Sequence, residues 1–157
     1  MKFKNTIWLI AFLSGTVFAH DHTAGAEQHA MPDAHAIEHL MKKQFDKPEA
    51  PLTVAPVTTE GHYAVAGWVQ SGKGGRALLK KENGAWQIQV CGGDGLKKPE
   101  TLTSTGMDAA TAAKLAKKID AAEAKLSKDH LNKLGMFDGM VKVDTPAHDG
   151  HAPHHHH

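Results

Sequence analysis

The chain has 157 residues, with 18 lysines and arginines, 17 aspartates and glutamates and 13 histidines, which gives a formal charge of +1 when histidine is neutral. This length supports one hydrophobic core and is too short for two comfortable ones. The near balance of acidic and basic residues gives no support to a nucleic-acid binder.

The first nineteen residues have the layout of a cleavable secretory signal peptide. Lys2 and Lys4 give a basic start, an apolar stretch follows over residues 7–18, and Val17 and Ala19 put small residues where signal peptidase reads. The apolar stretch is shorter than the ~20 residues that a bilayer-spanning helix needs, which favours cleavage after Ala19 over a retained anchor. We therefore predict a periplasmic protein without stable membrane insertion. Its mature chain has 16 basic and 17 acidic residues, a formal charge of −1.

The rest of the chain divides into a folded domain and two histidine-rich ends. Residues 20–32 and 144–157 lack an apolar period and contain glycine and proline, so we expect both to be disordered. Residues 33–143 have the periodic patterns of a globular domain. Eleven of the thirteen histidines lie outside the stretch between Leu40 and Thr145. This uneven distribution is the main clue to function.

The start of the predicted domain has the pattern of an amphipathic helix. Asp33 can cap a helix that runs from Ala34 to about Phe45. The i, i+3, i+4, i+8 rhythm of one buried face is followed by Ile37, Leu40, Met41 and Phe45. The opposite, solvated face carries His35, Glu38, His39 and Lys42.

Strand patterns follow this helix. Residues 52–57 form an extended piece bracketed by Pro51 and Pro56. Residues 63–69 have apolar side chains at odd and at even positions, which predicts a strand that is covered on both faces. The glycine-rich residues 71–75 predict a turn, and residues 76–81 return the chain. Asn83-Gly84 is typical of a type I′ hairpin turn, because both residues tolerate positive φ.

The remainder of the domain predicts one further strand pattern and then helices. Trp86, Ile88 and Val90 alternate with two glutamines, which predicts a half-exposed strand. A glycine-rich loop follows over residues 91–95. The later predicted elements are a short helix at 99–104, a helix to residue 126 capped by Asp108, further turns capped by Ser127, and a last strand at 140–143. This order predicts one α+β domain with an N-terminal helix, an antiparallel meander of three to four strands and C-terminal helices.

The first candidate metal site depends on cleavage of the signal. A cut after Ala19 would leave His20-Asp21-His22 at a free α-amine. The amine, two deprotonated amide nitrogens and the His22 imidazole form a planar four-nitrogen set, which selects Cu(II) or Ni(II) and suits zinc poorly. The alternative is a chance histidine in a histidine-rich segment, and a cut one residue away would destroy the site.

The second candidate is the pair His35 and His39. Residues four apart on a helix lie about one turn above each other, so two imidazoles can meet one metal ion there, with Glu38 adjacent. The same spacing also occurs on plain solvated helix faces. The pair is therefore a candidate auxiliary site.

The third candidate is the C-terminal tract of histidines. Its members are His148, His151, His154, His155, His156 and His157. Clustered imidazoles bind Cu(II), Zn(II) and Ni(II) with little selectivity. A purification tag is the alternative, but a run of four is short for a tag and two more histidines precede it, which favours a native tail.

The single cysteine, Cys91, cannot form an internal disulfide. It could be a soft Cu(I) ligand, together with Met136 or Met140, or it could be a small buried hydrophobe. No serine, paired carboxylates or His/Cys arrangement can be argued from spacing to be catalytic, so we predict a protein that is not an enzyme.

Six central segments carry a resemblance to a known family. They are residues 41–54, 63–70 (YAVAGWVQ), 74–79 (GGRALL), 86–95 (WQIQVCGGDG), 121–126 (AAEAKL) and 137–141 (FDGMV). By these residues the chain resembles, over roughly positions 36–143, the small bacterial proteins described as copper uptake system-associated. The resemblance implies a periplasmic accessory to copper import, whose partners are copper transport or copper chaperone proteins of the cell envelope. It implies no ligand set.

The sequence thus predicts a periplasmic copper-binding accessory protein, which captures Cu(II) by its histidine-rich ends and passes it to a partner. Copper is favoured over zinc and nickel, as Cu(II) at the histidines and as Cu(I) at Cys91. The alternative is a non-catalytic interaction module of a copper transport system whose core binds no metal.

Overall fold

The structure, a computed structural model, describes residues 32–143. The predicted signal peptide, the predicted disordered segment before Pro32 and the predicted tail at 144–157 lie outside these residues. None of the helices between residues 32 and 143 combines the length and apolar character that crossing a bilayer requires.

One antiparallel sheet organises the described residues. The elements are α1 (Asp33–Phe45), β1 (Leu52–Glu60), β2 (Tyr63–Gln70), β3 (Lys73–Glu82), β4 (Ala85–Gly92), a 3-10 helix (Asp94–Lys97), α2 (Pro99–Ser104), α3 (Ala109–Glu123), α4 (Lys128–Leu134) and β5 (Met140–Lys142). The strands lie in the order β1-β2-β3-β4-β5. The predicted α+β order of helix, meander and helices is confirmed, with a sheet of five strands where three to four were expected.

Helices cover both faces of the sheet. On one face α1 contributes Ile37 and Met41, which pack against apolar residues of the four long strands. On the other face α3 contributes Leu115 and Ile119 to a second core, which also holds buried residues of the 3-10 helix and α2. Strand β2 therefore has apolar contacts on both faces, as predicted from its apolar residues at odd and even positions.

Local turn and cap signals have the predicted roles. Asn83 and Gly84 both have positive φ, 51° and 80°, in the turn between β3 and β4. The side chain of Asp108 accepts a hydrogen bond from the Thr111 amide at 2.9 Å and so caps α3. Ser127 caps α4 by accepting from the His130 amide at 3.2 Å.

Asp33 does not have the predicted capping role. It lies inside the first turn of α1, with Pro32 at the N-cap position and no side-chain cap. Its carboxylate accepts hydrogen bonds from Lys81 Nζ at 2.7 Å and from Trp86 Nε1 at 3.0 Å. The two sheet donors hold the carboxylate away from the helix amides, so Asp33 ties the start of α1 to the β3–β4 hairpin.

The predicted glycine-rich turn at 71–75 is shorter than expected, because Gly74 and Gly75 belong to β3. A Cβ on Gly74 would lie 2.9 Å from the carbonyl oxygen of Lys133 in α4. A Cβ on Gly75 would lie 2.9 Å from Cζ2 of Trp68. Both glycines therefore permit the close approach of α4 on one face and of an indole ring on the other.

An irregularity in β4 overturns the simple alternation predicted for that strand. Leu78 of β3 pairs with Val90, but Leu79 pairs with Ile88, so Gln89 is an extra residue without a partner of its own in β3. Such a β-bulge shifts the side chains beyond it to the other face. Trp86 and Ile88 accordingly pack in the α1 core, whereas Val90 packs in the α3 core.

Candidate functional site

The structure describes three of the predicted metal ligands: His35, His39 and Cys91. The predicted ligands at the two ends lie outside the described residues. These are His20, His22, His148, His151, His154, His155, His156 and His157. Inside the described range, no group of three or more histidine, cysteine, aspartate or glutamate side chains is arranged to hold a metal ion.

His35 and His39 lie together on the exposed face of α1, opposite Ile37 and Met41. They line one open surface depression with Glu38, which lies between them in sequence. The Glu38 carboxylate forms an ion pair with Lys42 at 2.8 Å. The hydrogen bond from Lys42, followed by its charge, holds the pKa of Glu38 below its ordinary value. The helix thus presents two imidazoles at chelating spacing, beside a carboxylate that already has a cationic partner.

Cys91 faces α1 as a result of the bulge at Gln89. It pairs with Ala77 of β3 and with Val141 of β5, so it is part of β4 and not of the predicted loop. Its side chain lines a cavity of about 280 Å³ on the α1 face of the sheet. The other lining residues are Met41, Phe45, Leu52, Trp68, Gln70, Phe137, Val141 and Val143.

Two aromatic rings form one wall of this cavity. Trp68 and Phe137 pack edge to face, with ring centroids 5.9 Å apart and planes at 80°. The Trp68 Nε1 atom is buried and has no hydrogen-bond partner among the described residues. At the connection between α1 and β1, Gln70 donates hydrogen bonds to the carbonyl oxygens of Phe45 at 2.8 Å and Ala50 at 2.7 Å. These contacts fix the C-terminal end of α1 beside the cavity.

The sulfur that accompanies Cys91 is not one of those expected from the sequence. Met136 and Met140 are 59% and 51% exposed, and neither lines the cavity. Met41 lines it instead. The helical spacing correctly predicted that Met41 is buried, but no sequence pattern indicated that α1 crosses the sheet at Cys91.

Burial raises the pKa of the Cys91 thiol above its ordinary value. The thiol is therefore protonated at neutral pH, and we expect iodoacetamide to alkylate it several-fold more slowly than the thiol of free cysteine at pH 7.5. Intact-mass measurements over time give both rates, and the same measurement in urea supplies the unfolded control. Alkylation of the native protein as fast as that of free cysteine would contradict this expectation.

The largest buried polar group was missed by the sequence analysis. Arg76 is 1% exposed, and its Nε and Nη2 atoms donate to the two oxygens of Glu123 at 2.7 and 2.9 Å. Its Nη1 atom donates to Asp94 at 3.0 Å and to the Leu134 carbonyl at 3.2 Å. Lys97 adds a second cation at 3.1 Å from Glu123. With its hydrogen bonds made inside the protein, this cluster joins β3 to the helices of the α3 face and is structural.

The position of Glu123 gave a signal that could have revealed this cluster. Ala112, Leu115, Ala116 and Ile119 form the buried stripe of α3, and Glu123 continues it four residues after Ile119. An acidic residue on an apolar stripe requires a buried cationic partner. The helix ends at Glu123, three residues before the predicted end at Leu126.

Comparison of the chain with models of known protein families, with curated proteins and with solved structures found no match. The functional assignment therefore depends on the chain's own residues.

Proposed function

We propose that the protein is an exported copper-binding accessory protein, which takes up Cu(II) on histidine side chains and passes it to a partner protein of the cell envelope. The observation that carries the proposal is the pair of imidazoles, His35 and His39, on one exposed face of α1. Nitrogen donors at this spacing suit Cu(II), and an exposed site permits transfer to a partner. The histidine-rich segments on either side of the domain supply further donors of the same kind.

The cavity at Cys91 supports a link to copper in a second way. Thiolate and thioether sulfur are the soft ligands that Cu(I) prefers, and Cys91 and Met41 line the same cavity. Every lining residue except Val143 belongs to the segments by which the chain resembles copper uptake system-associated proteins. Because burial raises the pKa of Cys91, Cu(I) would have to displace a proton, so the histidines are the better candidates for capture.

An interaction module whose core binds no metal is the second candidate function. It is favoured by the absence, between residues 32 and 143, of any group of three metal-ligating side chains. Three large apolar side chains are also exposed close together in sequence, and these are Met136, Met140 and Val141. Such residues, two of which belong to the short edge strand β5, would suit docking to another protein.

Copper titration of the mature protein tests the proposed function. We expect Cu(II) to give the visible d–d band of planar four-nitrogen copper, and we expect His22→Ala to abolish that band, because His22 supplies the imidazole of the predicted N-terminal site. Intact mass must first establish that the mature chain begins at His20. The matched control is His62→Ala, which removes an exposed imidazole of the domain and should leave the band unchanged.

The outcomes separate the two candidate functions. Failure of the full mature chain to bind Cu(II) below micromolar concentrations would reject a copper-capturing role and leave the interaction module. Binding that survives the loss of His22 but requires Cys91 would move the site into the core. A band that is unchanged by His22→Ala would reject the N-terminal site alone.

A further inference from the structure

We propose that the cavity between α1 and the sheet binds a neutral, mostly apolar small molecule of about nine non-hydrogen atoms, one of which is an oxygen that accepts a hydrogen bond from Trp68 Nε1. This ligand-binding activity goes beyond the proposed handling of copper and does not depend on it. The cavity is lined by residues that the structure describes, so its chemistry can be read from their side chains.

The walls of the cavity carry no charge. None of the nine described residues that line it is acidic or basic. The amide nitrogen of Gln70 already donates to the carbonyl oxygens of Phe45 and Ala50. The Cys91 thiol is neutral, because burial raises its pKa. An ion that entered would lose its hydration without gaining an opposite charge, so the lining favours an uncharged ligand with mostly apolar surface.

The cavity runs from the core to the surface. Met41 and Leu52 are buried, whereas Val141 of the edge strand β5 is 54% exposed and marks an opening. The volume is about 280 Å³. A water molecule takes up about 30 Å³ in the liquid, so the cavity has room for roughly nine groups of that size. A benzene ring with a short substituent therefore fits and can enter beside β5.

Trp68 supplies the polar group that the ligand has to match. Its indole ring forms one wall of the cavity and packs edge to face on Phe137. Its Nε1 atom is buried and has no hydrogen-bond partner among the described residues. A buried donor without an acceptor carries a penalty in the folded protein, and a ligand oxygen that reaches the donor removes this penalty. An acceptor on the ligand therefore strengthens binding more here than at a donor that water already satisfies.

The other tryptophan of the domain provides an internal reference. Trp86 Nε1 donates to the Asp33 carboxylate at 3.0 Å, so this indole has its acceptor inside the protein. The one remaining tryptophan of the chain, Trp8, lies in the predicted signal peptide. The mature chain thus has two indole N–H groups, of which only that of Trp68 is expected to respond to a ligand.

Titration of the nitrogen-15-labelled mature chain with three ligands of equal size tests the site. The probes are acetophenone, α-methylstyrene, in which a methylene group replaces the carbonyl oxygen, and benzoate, which is charged. Proton–nitrogen correlation spectra follow the two indole signals, and contacts with the Phe137 ring assign that of Trp68. We expect acetophenone to shift the Trp68 signal saturably and leave the Trp86 signal in place. Benzoate should bind at least about tenfold more weakly than acetophenone.

The comparison of the two neutral probes isolates the hydrogen bond. Their rings have the same effect on a nearby proton, so a larger downfield shift of the Trp68 indole proton with acetophenone reports its carbonyl oxygen. Trp68→Phe keeps an aromatic wall and removes the donor. This variant should lower the ratio of acetophenone affinity to α-methylstyrene affinity about fivefold, the effect of about one net hydrogen bond.

Two further variants locate the ligand. Cys91→Leu adds side-chain volume inside the cavity and should weaken the binding of both neutral probes. Met140→Ala is the matched control, because it shortens an exposed apolar side chain that does not line the cavity, and it should leave both affinities unchanged. Nuclear Overhauser effects from the acetophenone methyl group to Leu52 place the probe in the cavity. Effects to Met136 would place it in the neighbouring depression that Trp68 also lines.

Each failure has its own signature. No saturable shift of the Trp68 signal up to the solubility limit of acetophenone would overturn the site. Equal shifts with the two neutral probes, or an unchanged affinity ratio in Trp68→Phe, would overturn the hydrogen bond and with it the proposed ligand class. Contacts with Met136 in place of Leu52, or equal effects of Met140→Ala and Cys91→Leu, would overturn the cavity as the site. All of these results leave the copper titrations as they stand.

Discussion

Replacement of Arg76 by methionine is expected to lower the free energy of unfolding by about 3–5 kcal/mol, the usual cost of removing one partner from a buried ion pair. The substitution removes both hydrogen bonds to Glu123 and leaves that carboxylate, only 4% exposed, with Lys97 as its remaining cation. It also removes the donor to the Leu134 carbonyl and so loosens α4. The resulting penalty is mainly that of an under-compensated buried charge.

Urea unfolding followed by circular dichroism measures this change. A variant that combines Arg76→Met with Glu123→Leu removes both charges and should regain at least half of the lost stability, since apolar side chains can replace a buried ion pair. The matched control is Asp129→Asn, which breaks the exposed i, i+4 pair with Lys133 and should have no resolvable effect. A loss below about 1 kcal/mol for Arg76→Met would show that water or a rearrangement compensates the carboxylate.

The same ion pair predicts an acid-dependent part of the stability. Burial alone would raise the pKa of Glu123, but hydrogen bonds and charge from Arg76, and then from Lys97, outweigh it and hold the pKa below the ordinary 4.5. A lowered pKa in the folded state contributes stability above the unfolded value, and this contribution is lost as pH falls through the folded pKa. The free energy of unfolding of the native chain should therefore fall, relative to that of the Arg76→Met/Glu123→Leu variant, as the pH is lowered below about 4.5. A difference that stays constant from pH 6 to 3 would contradict this.

Substitution of Gly93 by alanine is the second change expected to have a large effect. A Cβ at Gly93 would overlap the carbonyl oxygen of Phe137, which is backbone and cannot rotate away as a side chain could. The segment that leads into β5 must move to make room. Overpacking of this kind costs about 1–3 kcal/mol, and a backbone obstacle places the expected loss near the upper end.

The displaced segment also links Gly93 to the cavity. Phe137 packs edge to face on Trp68, so its movement should change the near-ultraviolet circular dichroism and the tryptophan fluorescence of the folded protein. Gly95→Ala is a control two residues away, in the 3-10 helix, because a Cβ there would meet Thr101 Cγ2 at an ordinary 3.9 Å. We expect this control to change stability by less than about 0.5 kcal/mol. Equal stability and spectra for both alanine variants would reject the described packing of Phe137.

The parts of the fold that could be predicted depend on short-range physics. The turn at Asn83-Gly84 follows from the tolerance of these residues for positive φ. The caps at Asp108 and Ser127 follow from side chains that can reach an amide three residues on. That both faces of strand β2 are covered follows from its apolar residues at odd and even positions. Each of these signals lies within a few residues of the structure that it determines.

The parts that were wrong depend on partners distant in sequence. Asp33 has the chemistry of a cap, but two sheet donors brought near by the fold compete for its carboxylate. Gly74 resembles a turn glycine, although it lies in β3, where a Cβ would meet the carbonyl oxygen of Trp68 in β2 at 2.6 Å and that of Lys133 in α4, almost sixty residues later, at 2.9 Å. The partners of Arg76 come from α3 and the 3-10 helix, and no local pattern indicates which acidic residue a buried arginine will meet.

The candidate site also has one part that could be predicted from local sequence and one part that could not. The spacing of His35 and His39 predicted that both imidazoles lie on one face of a helix, and they do so in the structure. The methionine beside Cys91 could not be foreseen, because Met136 and Met140 are close to β5 in sequence while Met41 reaches the cavity through the packing of α1 on the sheet. The copper assignment, and the histidines at the two ends, stay predictions for the titrations to decide.

The extra residue at Gln89 divides β4 into two lengths of opposite phase. The alternation of side chains between the two faces restarts at the bulge, so the face of each later residue depends on its distance from the bulge and not from the start of the strand. Deletion of this extra residue would therefore restore regular pairing, Ile88 with Leu79 and Val90 with Leu78, and would leave the valine facing α3 and the Cys91 thiol facing α1. A mutational survey of this strand should therefore tolerate the loss of Gln89 better than the loss of Val90, because deletion of the valine would bring the glutamine to the α3 core in its place.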